Sequence, residues 1–466
     1  MRSTLKLREA VHTQRVLEML VAHGLSAKAA AYKAELFTKC CRHHIESGID
    51  ESTAVLLLFV PGRIEVLGKH TDYAGGRSLL ATLEKGFCAA AIKQPGKALN
   101  LTDIRRGERV GFGIDRAIVP SLRHWSNYPM TVAKRVAMNF ADPLCGAKVA
   151  FASDLPPAAG MSSSSAMIVT FFLVIAMLND LFMREEYKAN IADTESLAAY
   201  LGTVENGQGF GSLVGDKGVG TCGGSEDHTA ILCCRPKNLS QYAFCPVRME
   251  RHVRMPEGYT FAIANSGVSA EKTGAAREKY NRVANLAAAI EQVWNRYTGR
   301  QDPHLAAILD HAGTIPLNDR LLESIKSSAA LTPYDYQSLL ERLQQFIEES
   351  THIIPAAGDA LLRGDMQNFA KLVDRSQRYA EDLLKNQIPE TIFLARRARE
   401  LGAAASSAFG GGFGGAVWAI VRNDALSDFL AQWSSSYASA FPERISKAEF
   451  FPTDPGPAAF WLEQDF

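Results

Sequence analysis

The sequence lacks any segment suited to crossing a membrane. Its longest apolar stretch, Ala166 to Leu178, is too short for a bilayer span, which requires about 20 apolar residues, and is typical of a buried helix. The N-terminal residues are charged and have a helical period, unlike a secretory signal peptide. Repeats and low-complexity segments are also absent. We therefore expect no membrane partner and a cytoplasmic location.

The chain also lacks net charge and metal-type cysteine pairs. It carries 50 basic and 50 acidic residues among 466, so it offers no excess charge for capturing nucleic acid or an anionic surface. None of its eight cysteines forms a CxxC pair, and reduced thiols in a cytosolic protein fit this spacing best. Any anionic ligand must therefore be bound locally.

What is present predicts an α+β protein with two main domains. Residues 1–50 have the pattern of paired helices and predict a helical N-terminal appendage. From Val55, short β-rich runs broken by Gly and Pro precede helical stretches, which predicts a first domain over 51–250. Mostly helical patterns followed by further strands predict a second domain over 251–466, with the boundary near 245–258.

The strongest local feature is a serine-rich segment at the start of the apolar helix. DLPPAAGMSSSSAMIVTFFLVIAM, residues 154–177, runs from a Pro/Gly loop through four serines into that helix. Exposed N–H groups and the dipole at such a helix start can hold a phosphate chain. Hydroxyls of Ser162 to Ser165 add donors and a candidate Mg²⁺ ligand where a Walker loop, absent here, would supply lysine. Alternatively, the serines only cap a core helix.

A second segment concentrates polar side chains on a glycine-containing loop at a strand end. It reads VPGRIEVLGKHTDYAGGRSL and covers residues 60–79. Its polar side chains are Arg63, Lys69, His70, Asp72 and Tyr73. So many polar groups on one tight loop indicate recognition of hydroxyl groups.

Two glycine-containing segments complete the set of candidate site elements. Asp227 lies in GTCGGSEDHTAIL, which predicts a glycine turn followed by an apolar strand. A carboxylate held there could accept a hydroxyl proton, with Glu226 as a competing candidate; alternatively, Asp227 only caps a turn or helix. The glycine cluster of SSAFGGGFGGAVWAIV, residues 406–421, lets the backbone approach a ligand or another loop closely.

Taken in order, these segments resemble the GHMP kinase superfamily and, within it, the galactokinases. GRIEVLGKHTDYAGG resembles the galactokinase signature, PPAAGMSSSSA the phosphate-binding motif and FGGGFGGAV the third motif. Two lesser stretches agree, WSNYPMTVAKRV from Trp125 and NSGVSAEKTGAAREKYNRV from Asn265. Five matches in one order disfavour a purely structural protein.

The resemblance implies a two-domain GHMP kinase fold. Its N-terminal domain would be ribosomal-protein-S5-like and its C-terminal domain ferredoxin-like, with the active site in the cleft between them. The resemblance also implies transfer of the γ-phosphoryl group of ATP, with Mg²⁺, to a sugar hydroxyl, which in galactokinases is the anomeric one. The expected partners are a small sugar and ATP, and the expected state is a monomer or weak dimer.

Site residues follow from the same resemblance, position by position. Asp227 matches the catalytic aspartate, Arg63 the arginine beside it, and Ser164 with Glu205 the Mg²⁺ ligands. The positions that fall to the sugar are Glu65, Lys69, His70, Asp72 and Gly224. Those that fall to the nucleotide are Trp125, Gly160, Ser162, Ser163, Ser164 and Ser165.

The chain departs from the galactokinase pattern within the sugar signature. Lys69 stands where galactokinases have Glu, and Glu65 stands where they have Asn. Lys69 could pair with the carboxylate of a uronic acid such as galacturonate or glucuronate, or could hydrogen-bond a neutral sugar. In the alternative without a ligand, Glu65 and Lys69 compensate each other's charge, or Glu65 pairs with Arg63.

Further departures lie near Asp227. His228 replaces the usual Gln, and GSLVGDKGVG looks like an insertion between Glu205 and Asp227, which weakens Glu205 as a metal ligand. L-arabinose, N-acetylgalactosamine and a heptose are therefore rival substrates. A rival of another class is a sugar and ATP sensor without turnover, although the retention of Asp227 and Arg63 argues against it.

Overall fold

The structure is a computed structural model that describes residues 5–121, 124–270, 276–312, 319–328 and 332–462. Within these residues the strands form two sheets, one of nine strands and one of four. Helices cover both sheets, and a further group of helices lies between the strands of the second sheet in sequence. The α+β class predicted from the sequence is confirmed.

The larger sheet is built around two long antiparallel strands, β2 and β3, which pair from Leu56 with Ala91 to Leu67 with Leu79. They are longer than the short runs that the sequence predicts. The strands of this sheet are β1 (Leu5–Lys6), β2 (Ala54–Leu67), β3 (Arg77–Gln94), β4 (Ala98–Asp103), β5 (Glu108–Gly113), β6 (Gly146–Ser153), β7 (Asn238–Ala243), β8 (Arg248–Arg254) and β13 (Phe460–Trp461).

Helices bury both faces of this sheet. Because side chains alternate along a strand, Leu58 and Val60 of β2 enter the core around the apolar helix α5, while Leu57 and Phe59 enter a second core with the N-terminal helices. The helices of this part are α1 (Leu7–Ala10), α2 (Thr13–Ala22), α3 (Ala27–Glu46), α4 (Asn127–Asn139), α5 (Ser163–Leu178), α6 (Glu185–Lys188), α7 (Thr194–Asn206) and α8 (Glu226–Cys233).

The second sheet is antiparallel throughout, in the order β10–β11–β9–β12. Its strands are β9 (Tyr259–Asn265), β10 (Ala405–Ala408), β11 (Ala416–Arg422) and β12 (Glu449–Thr453). One face packs on the last two helices, and the other joins the large core shared with the first sheet. The helices of this part are α9 (Ala276–Thr298), α10 (Leu305–Ala312), α11 (Asp319–Ser328), α12 (Tyr336–Ile347), α13 (Ile354–Leu362), α14 (Met366–Tyr379), α15 (Pro389–Glu400) and α16 (Leu426–Ala440).

The segment after Asp227 and the N-terminal residues both form helices. The prediction of an apolar strand after Asp227 is wrong, because Glu226–Cys233 form helix α8. The acidic first turn of α8 suits the positive end of a helix, and α8 packs on α5 and α7. The helices of the predicted N-terminal appendage are present and pack closely on the first sheet. The domain boundaries themselves stay a prediction.

The longest apolar helix is α5, with sixteen residues. Among the residues that the structure describes, no helix is both long and apolar enough to cross a membrane.

An ion pair of Lys33 connects the N-terminal helices to the start of the serine-rich loop, residues 154–165. The Lys33 ammonium contacts the Asp154 carboxylate, with only 1 % of the Lys33 side chain exposed, and Asp154 also accepts the Gly86 N–H at 2.8 Å. We predict that Lys33→Met lowers the free energy of unfolding by about 3–5 kcal/mol, because it leaves a buried carboxylate without its cation. Chemical denaturation followed by circular dichroism measures this.

The matched control is Lys39→Met on the same helix, since Lys39 is exposed and its replacement should change stability by less than about 0.5 kcal/mol. Equal losses in the two variants would show that the ion pair does not stabilise this junction.

Candidate active site

Arg63 and Asp227 are brought together by strand β2 and helix α8. The Arg63 Nε donates to Asp227 Oδ1 at 2.7 Å, and its Nη1 donates to the Gly160 carbonyl at 2.7 Å. Only 5 % of the Arg63 side chain and 10 % of the Asp227 side chain are exposed. A short, charge-assisted bond of this kind fixes the carboxylate in one orientation. The bond from Arg63 to Gly160 connects the guanidinium to the serine-rich loop.

Two more buried carboxyl groups face the same guanidinium. Glu65 Oε2 lies 3.7 Å from Arg63 Nη2, and Glu226 Oε1 lies 3.7 Å from Arg63 Nε. Burial raises the pKa of Glu65, although Arg63 opposes the shift. Burial also raises the pKa of Glu226 well above its ordinary value, with added repulsion from Glu65 and Asp72. For both groups burial therefore favours the protonated form.

The serine-rich loop opens onto a large cavity of about 1280 Å³. Gly160, Ser162, Ser163 and Ser164 line it, and α5 begins there at Ser163. The first turn of a helix has N–H groups without partners inside the helix, so this wall is suited to an anion. The buried Ser162 Oγ receives and donates no hydrogen bond among the described residues, which leaves it available to a ligand.

Trp125 lines the same cavity, together with His124 and Tyr128. Its ring packs edge-on against Phe151 at 5.4 Å between centroids, and its indole N–H donates to Glu108. The sequence predicts that Trp125 contacts the nucleotide. A fixed aromatic side chain at this point could pack against a flat heterocycle.

Ser165 is the serine that contacts Glu205. Its hydroxyl donates to Glu205 Oε2 at 2.8 Å and lies 3.2 Å from Asp227 Oδ2, whereas Ser164 faces the large cavity. The family resemblance assigns Ser164 and Glu205 to Mg²⁺, but in the structure it is the Ser165 hydroxyl that contacts Glu205. No group of three or more His, Cys, Asp or Glu side chains that could cage a metal occurs among the described residues.

The segment between α7 and α8 does not separate Glu205 from Asp227. It folds back on the end of α7, where the Val219 N–H donates to the Glu205 carbonyl at 2.8 Å. As a result His228 Nε2 on α8 lies 3.3 Å from Glu205 Oε2. The apparent insertion thus leaves Glu205 next to the serine-rich loop.

A small polar cavity lies beside the large one. His70, Asp72, Gly224 and Glu65, all predicted to serve the sugar, line it. Asp72 Oδ2 accepts the Glu226 N–H at 3.0 Å, and a Cβ on Gly224 would lie 2.4 Å from that same oxygen. Only glycine allows the loop before α8 to approach Asp72 this closely.

The two cavities share four of their lining residues, Arg63, Asp227, Tyr280 and Gly411. Asp227 therefore stands where a group held in one cavity would meet a group held in the other. Sequence analysis did not single out Tyr280 or Gly411. Tyr280 lies in the segment from Asn265, of which residues 271–275 are outside the described part of the chain, and its ring packs 4.9 Å from that of His70.

Lys69 lines neither cavity. Its ammonium donates to Ser407 Oγ at 2.8 Å and lies 3.4 Å from Ser376 Oγ, and its side chain is fully buried. Ser376 in turn donates to Glu349 at 2.9 Å. Lys69 thus joins β10 and α14, and this placement does not favour its predicted contact with a sugar.

The loop between β2 and β3, residues 68–76, is called the signature loop, and its backbone is held by α12 and the π-helical turn after it. Gly68 N–H donates to Glu349 at 3.0 Å, and Gln345 Nε2 donates to the Lys69 carbonyl at 3.1 Å. Arg342 donates to the His70 carbonyl. Since His70 has a positive φ of 59°, a strained value for a residue with a Cβ, these bonds help to maintain the loop conformation.

We predict that Glu226→Gln stabilises the protein increasingly as the pH rises. The raised pKa means that the folded protein keeps the Glu226 proton when the unfolded chain, with a pKa near 4.5, has lost it; stability therefore falls as pH increases above that value. A glutamine cannot ionise and still accepts the Ser78 hydroxyl, which donates to Glu226 at 2.6 Å. Melting temperatures of both proteins at pH 5 and pH 8 test this.

Glu257→Gln is the control for that experiment, because 88 % of the Glu257 side chain is exposed. It should show no pH-dependent gain. A stability difference for Glu226→Gln that is the same at both pH values would contradict the proposed protonation.

Family models match three parts of the chain. Residues 48–93 match the galactokinase galactose-binding signature, 127–212 the GHMP kinases N terminal domain and 359–439 the GHMP kinases C terminal domain. The first match contains Arg63, and the second contains the serine-rich loop and Glu205. These assignments agree with the motifs found in the sequence.

Relatives agree with the family models. Galactokinase of Glaesserella parasuis is 26 % identical over 385 residues, covering 80 % of this chain and 88 % of its own, and galactokinase of Actinobacillus pleuropneumoniae is 26 % identical over 379 residues, covering 80 % and 86 %. The structure of Lactococcus lactis galactokinase complexed with galactose aligns with a TM-score of 0.70 at 22 % identity, covering 87 % of this chain and 95 % of its own.

The structural similarity shows the two-domain fold. The family models and the sequence relatives support the assignment of the enzyme class. We conclude that the chain belongs to the GHMP kinases and is a galactokinase-like sugar kinase.

Proposed function

We propose that the protein transfers the γ-phosphoryl group of ATP to the anomeric hydroxyl of galactose or a closely related sugar. The observation that carries this proposal is the meeting of a large cavity and a small polar cavity at Arg63 and Asp227. The large cavity would hold the nucleotide and the small one the sugar. The oxygen of the sugar would bond to the γ-phosphorus while the bond to the ADP oxygen breaks.

Asp227 would orient the sugar hydroxyl and accept its proton. Arg63 donates to Asp227 Oδ1, which favours the ionised carboxylate that this role requires. The guanidinium would also offset the charge that spreads over the transferring phosphoryl group. Because a loose transition state demands little proton removal, positioning the hydroxyl would be the larger part of the role of Asp227.

The phosphates would lie at the start of α5. The free N–H groups there, the Ser163 and Ser164 side chains and the unpartnered Ser162 Oγ support this placement, since together they provide neutral donors for an anion. Trp125 would lie against the adenine. We also propose that the protein works in the cytoplasm as a monomer or weak dimer; its eight free thiols suit a reducing compartment.

Glu205 and Ser165 would hold Mg²⁺, which supplies neutralisation of the β- and γ-phosphate oxygens when bound. Carboxylate and hydroxyl oxygens are ligands that Mg²⁺ accepts, and it usually takes only one or two protein ligands beside phosphates and water. Ser165 Oγ and Glu205 Oε2 lie 2.8 Å apart, close enough for one ion to contact both oxygens. This proposal replaces the pairing of Glu205 with Ser164.

We predict that Asp227→Asn lowers kcat for sugar phosphorylation by at least about 100-fold, since the amide cannot accept the proton. ADP release would be measured with Mg-ATP and a panel containing galactose, L-arabinose, N-acetylgalactosamine and uronic acids. Asp424→Asn is the control, because 68 % of that side chain is exposed and its replacement should leave the rate unchanged.

Two outcomes would contradict the proposal. If the wild-type protein binds ATP and sugar but turns over no sugar, the sensor interpretation is favoured. If Asp227→Asn retains the wild-type rate, Asp227 has no part in the reaction.

The metal pair can be tested by comparing two neighbouring serines. We predict that Ser165→Ala raises the Mg²⁺ concentration needed for half-maximal activity several-fold, because the metal loses an oxygen ligand. Ser164→Ala should instead raise mainly the KM for ATP, since Ser164 lines the nucleotide cavity. The reverse pattern would restore Ser164 as the ligand.

A further inference from the structure

The small cavity is rich in carboxyl groups. Arg63 is the guanidinium among its lining residues, and His70 and His228 are its imidazoles. Five carboxyl side chains line the same space, namely Glu65, Asp72, Glu205, Glu226 and Asp227. Carboxyl groups therefore outnumber cationic side chains around a molecule bound here.

Four of these carboxyl groups are bonded to groups of the protein. Asp227 accepts from Arg63 at 2.7 Å, and Glu205 accepts from Ser165 at 2.8 Å. Asp72 accepts the Glu226 N–H at 3.0 Å, and the Glu226 side chain accepts from Ser78 at 2.6 Å. These bonds orient the four groups before any ligand enters.

Glu65 differs from the other four. Its Oε1 is buried and receives no hydrogen bond from an N–H or O–H group among the described residues, although the residue as a whole is only 2 % exposed. The Arg63 guanidinium lies 3.7 Å from the other oxygen. A carboxylate can accept about four hydrogen bonds, so even a proton shared with Glu226 leaves capacity unused.

The glycine loop restricts rotation of the Glu65 side chain towards another hydrogen-bond partner. A Cβ on Gly410 would lie 1.6 Å from Glu65 Oε2, which means that the loop backbone is pressed against the carboxylate. Gly410 and Glu65 line the cavity side by side. The carboxylate is therefore held close to the glycine loop, among the residues that line the small cavity.

We propose that Glu65 is a specificity-determining residue, which accepts a hydrogen bond from a donor group of the sugar and makes the cavity reject sugars that carry a carboxylate. This inference rests on the proposed function of the site. A hydroxyl or an ammonium group satisfies the buried oxygen, and a site built to bond such a donor discriminates strongly against a substrate that lacks it. The carboxylate of a uronic acid instead has no proton to donate to this oxygen, and it would lie among the carboxyl groups that line the cavity.

The position of Lys69 supports the same conclusion. Its ammonium is bonded to Ser407 at 2.8 Å and lies outside the cavity lining. It cannot therefore offer a uronic acid the counter-charge that the sequence suggested. The substrate class is one of uncharged or amino sugars, and uronic acids are excluded.

The test compares kcat/KM for galactose, galactosamine and galacturonate in the wild type, Glu65→Gln and Lys69→Met. The wild type should prefer galactose and galactosamine over galacturonate by at least about 100-fold. Glu65→Gln should reduce that preference at least about tenfold, by raising the KM for galactose and lowering that for galacturonate, while the KM for ATP stays constant. Lys69→Met should leave the preference unchanged.

Each alternative outcome overturns the inference. If the wild type uses galacturonate as well as it uses galactose, that result alone overturns the inference, before any variant is measured. A preference that survives in Glu65→Gln would remove Glu65 as its cause, and loss of galacturonate use in Lys69→Met would return that role to the lysine. If the wild type phosphorylates none of the sugars, the proposed function fails and not this inference alone.

Discussion

The structure of the site depends on one buried cation. Arg63 lies among Asp227, Glu65 and Glu226, each within 3.7 Å of its guanidinium, and all four side chains are removed from water. Placing so many charges in a low-dielectric interior is costly unless the geometry compensates. Removing the guanidinium would leave three neighbouring carboxyl groups without a counter-ion, so the strand, the helix and the serine-rich loop around it are held to one arrangement.

A second constraint comes from the far half of the chain. The signature loop takes its backbone partners from Gln345 and Glu349, and its lysine is bonded to Ser407. Buried polar groups of this kind need their partners to avoid a large desolvation cost. The small cavity is therefore shaped by two parts of the molecule at once, which pre-organises it before a ligand enters.

Residues whose chemistry depends on local backbone shape could be found from the sequence. The serine run before an apolar helix and the glycines around Arg63 and Asp227 require particular local conformations, so their residue types are informative. The sequence does not show the direction in which each side chain points. Ser165 rather than Ser164 reaches Glu205 because successive residues on a helix point about 100° apart, and the start of α5 is set by Ser162, whose φ is 59°.

Other differences between the sequence predictions and the structure concern long-range packing. Lys69 was expected at the sugar, but its direction is decided by Ser376 and Ser407, more than 300 positions away, and sequence spacing does not reveal such a contact. The stretch after Asp227 is too short for its apolar period to distinguish a strand from a helix. Its packing against α5 and α7 decides the outcome.

The edge of β2 opposite β3 has a consequence for how the protein is made. β1 pairs there with Ala54 and Val55, and β13 pairs with Leu58 and Phe59, so one strand edge is completed by segments from the two extremes of the described chain. During synthesis, domains fold as they emerge from the ribosome. Here the strand that carries Arg63 keeps part of its edge open until residues 460–461 have emerged, so the first sheet cannot be completed before that part of the chain has been synthesised.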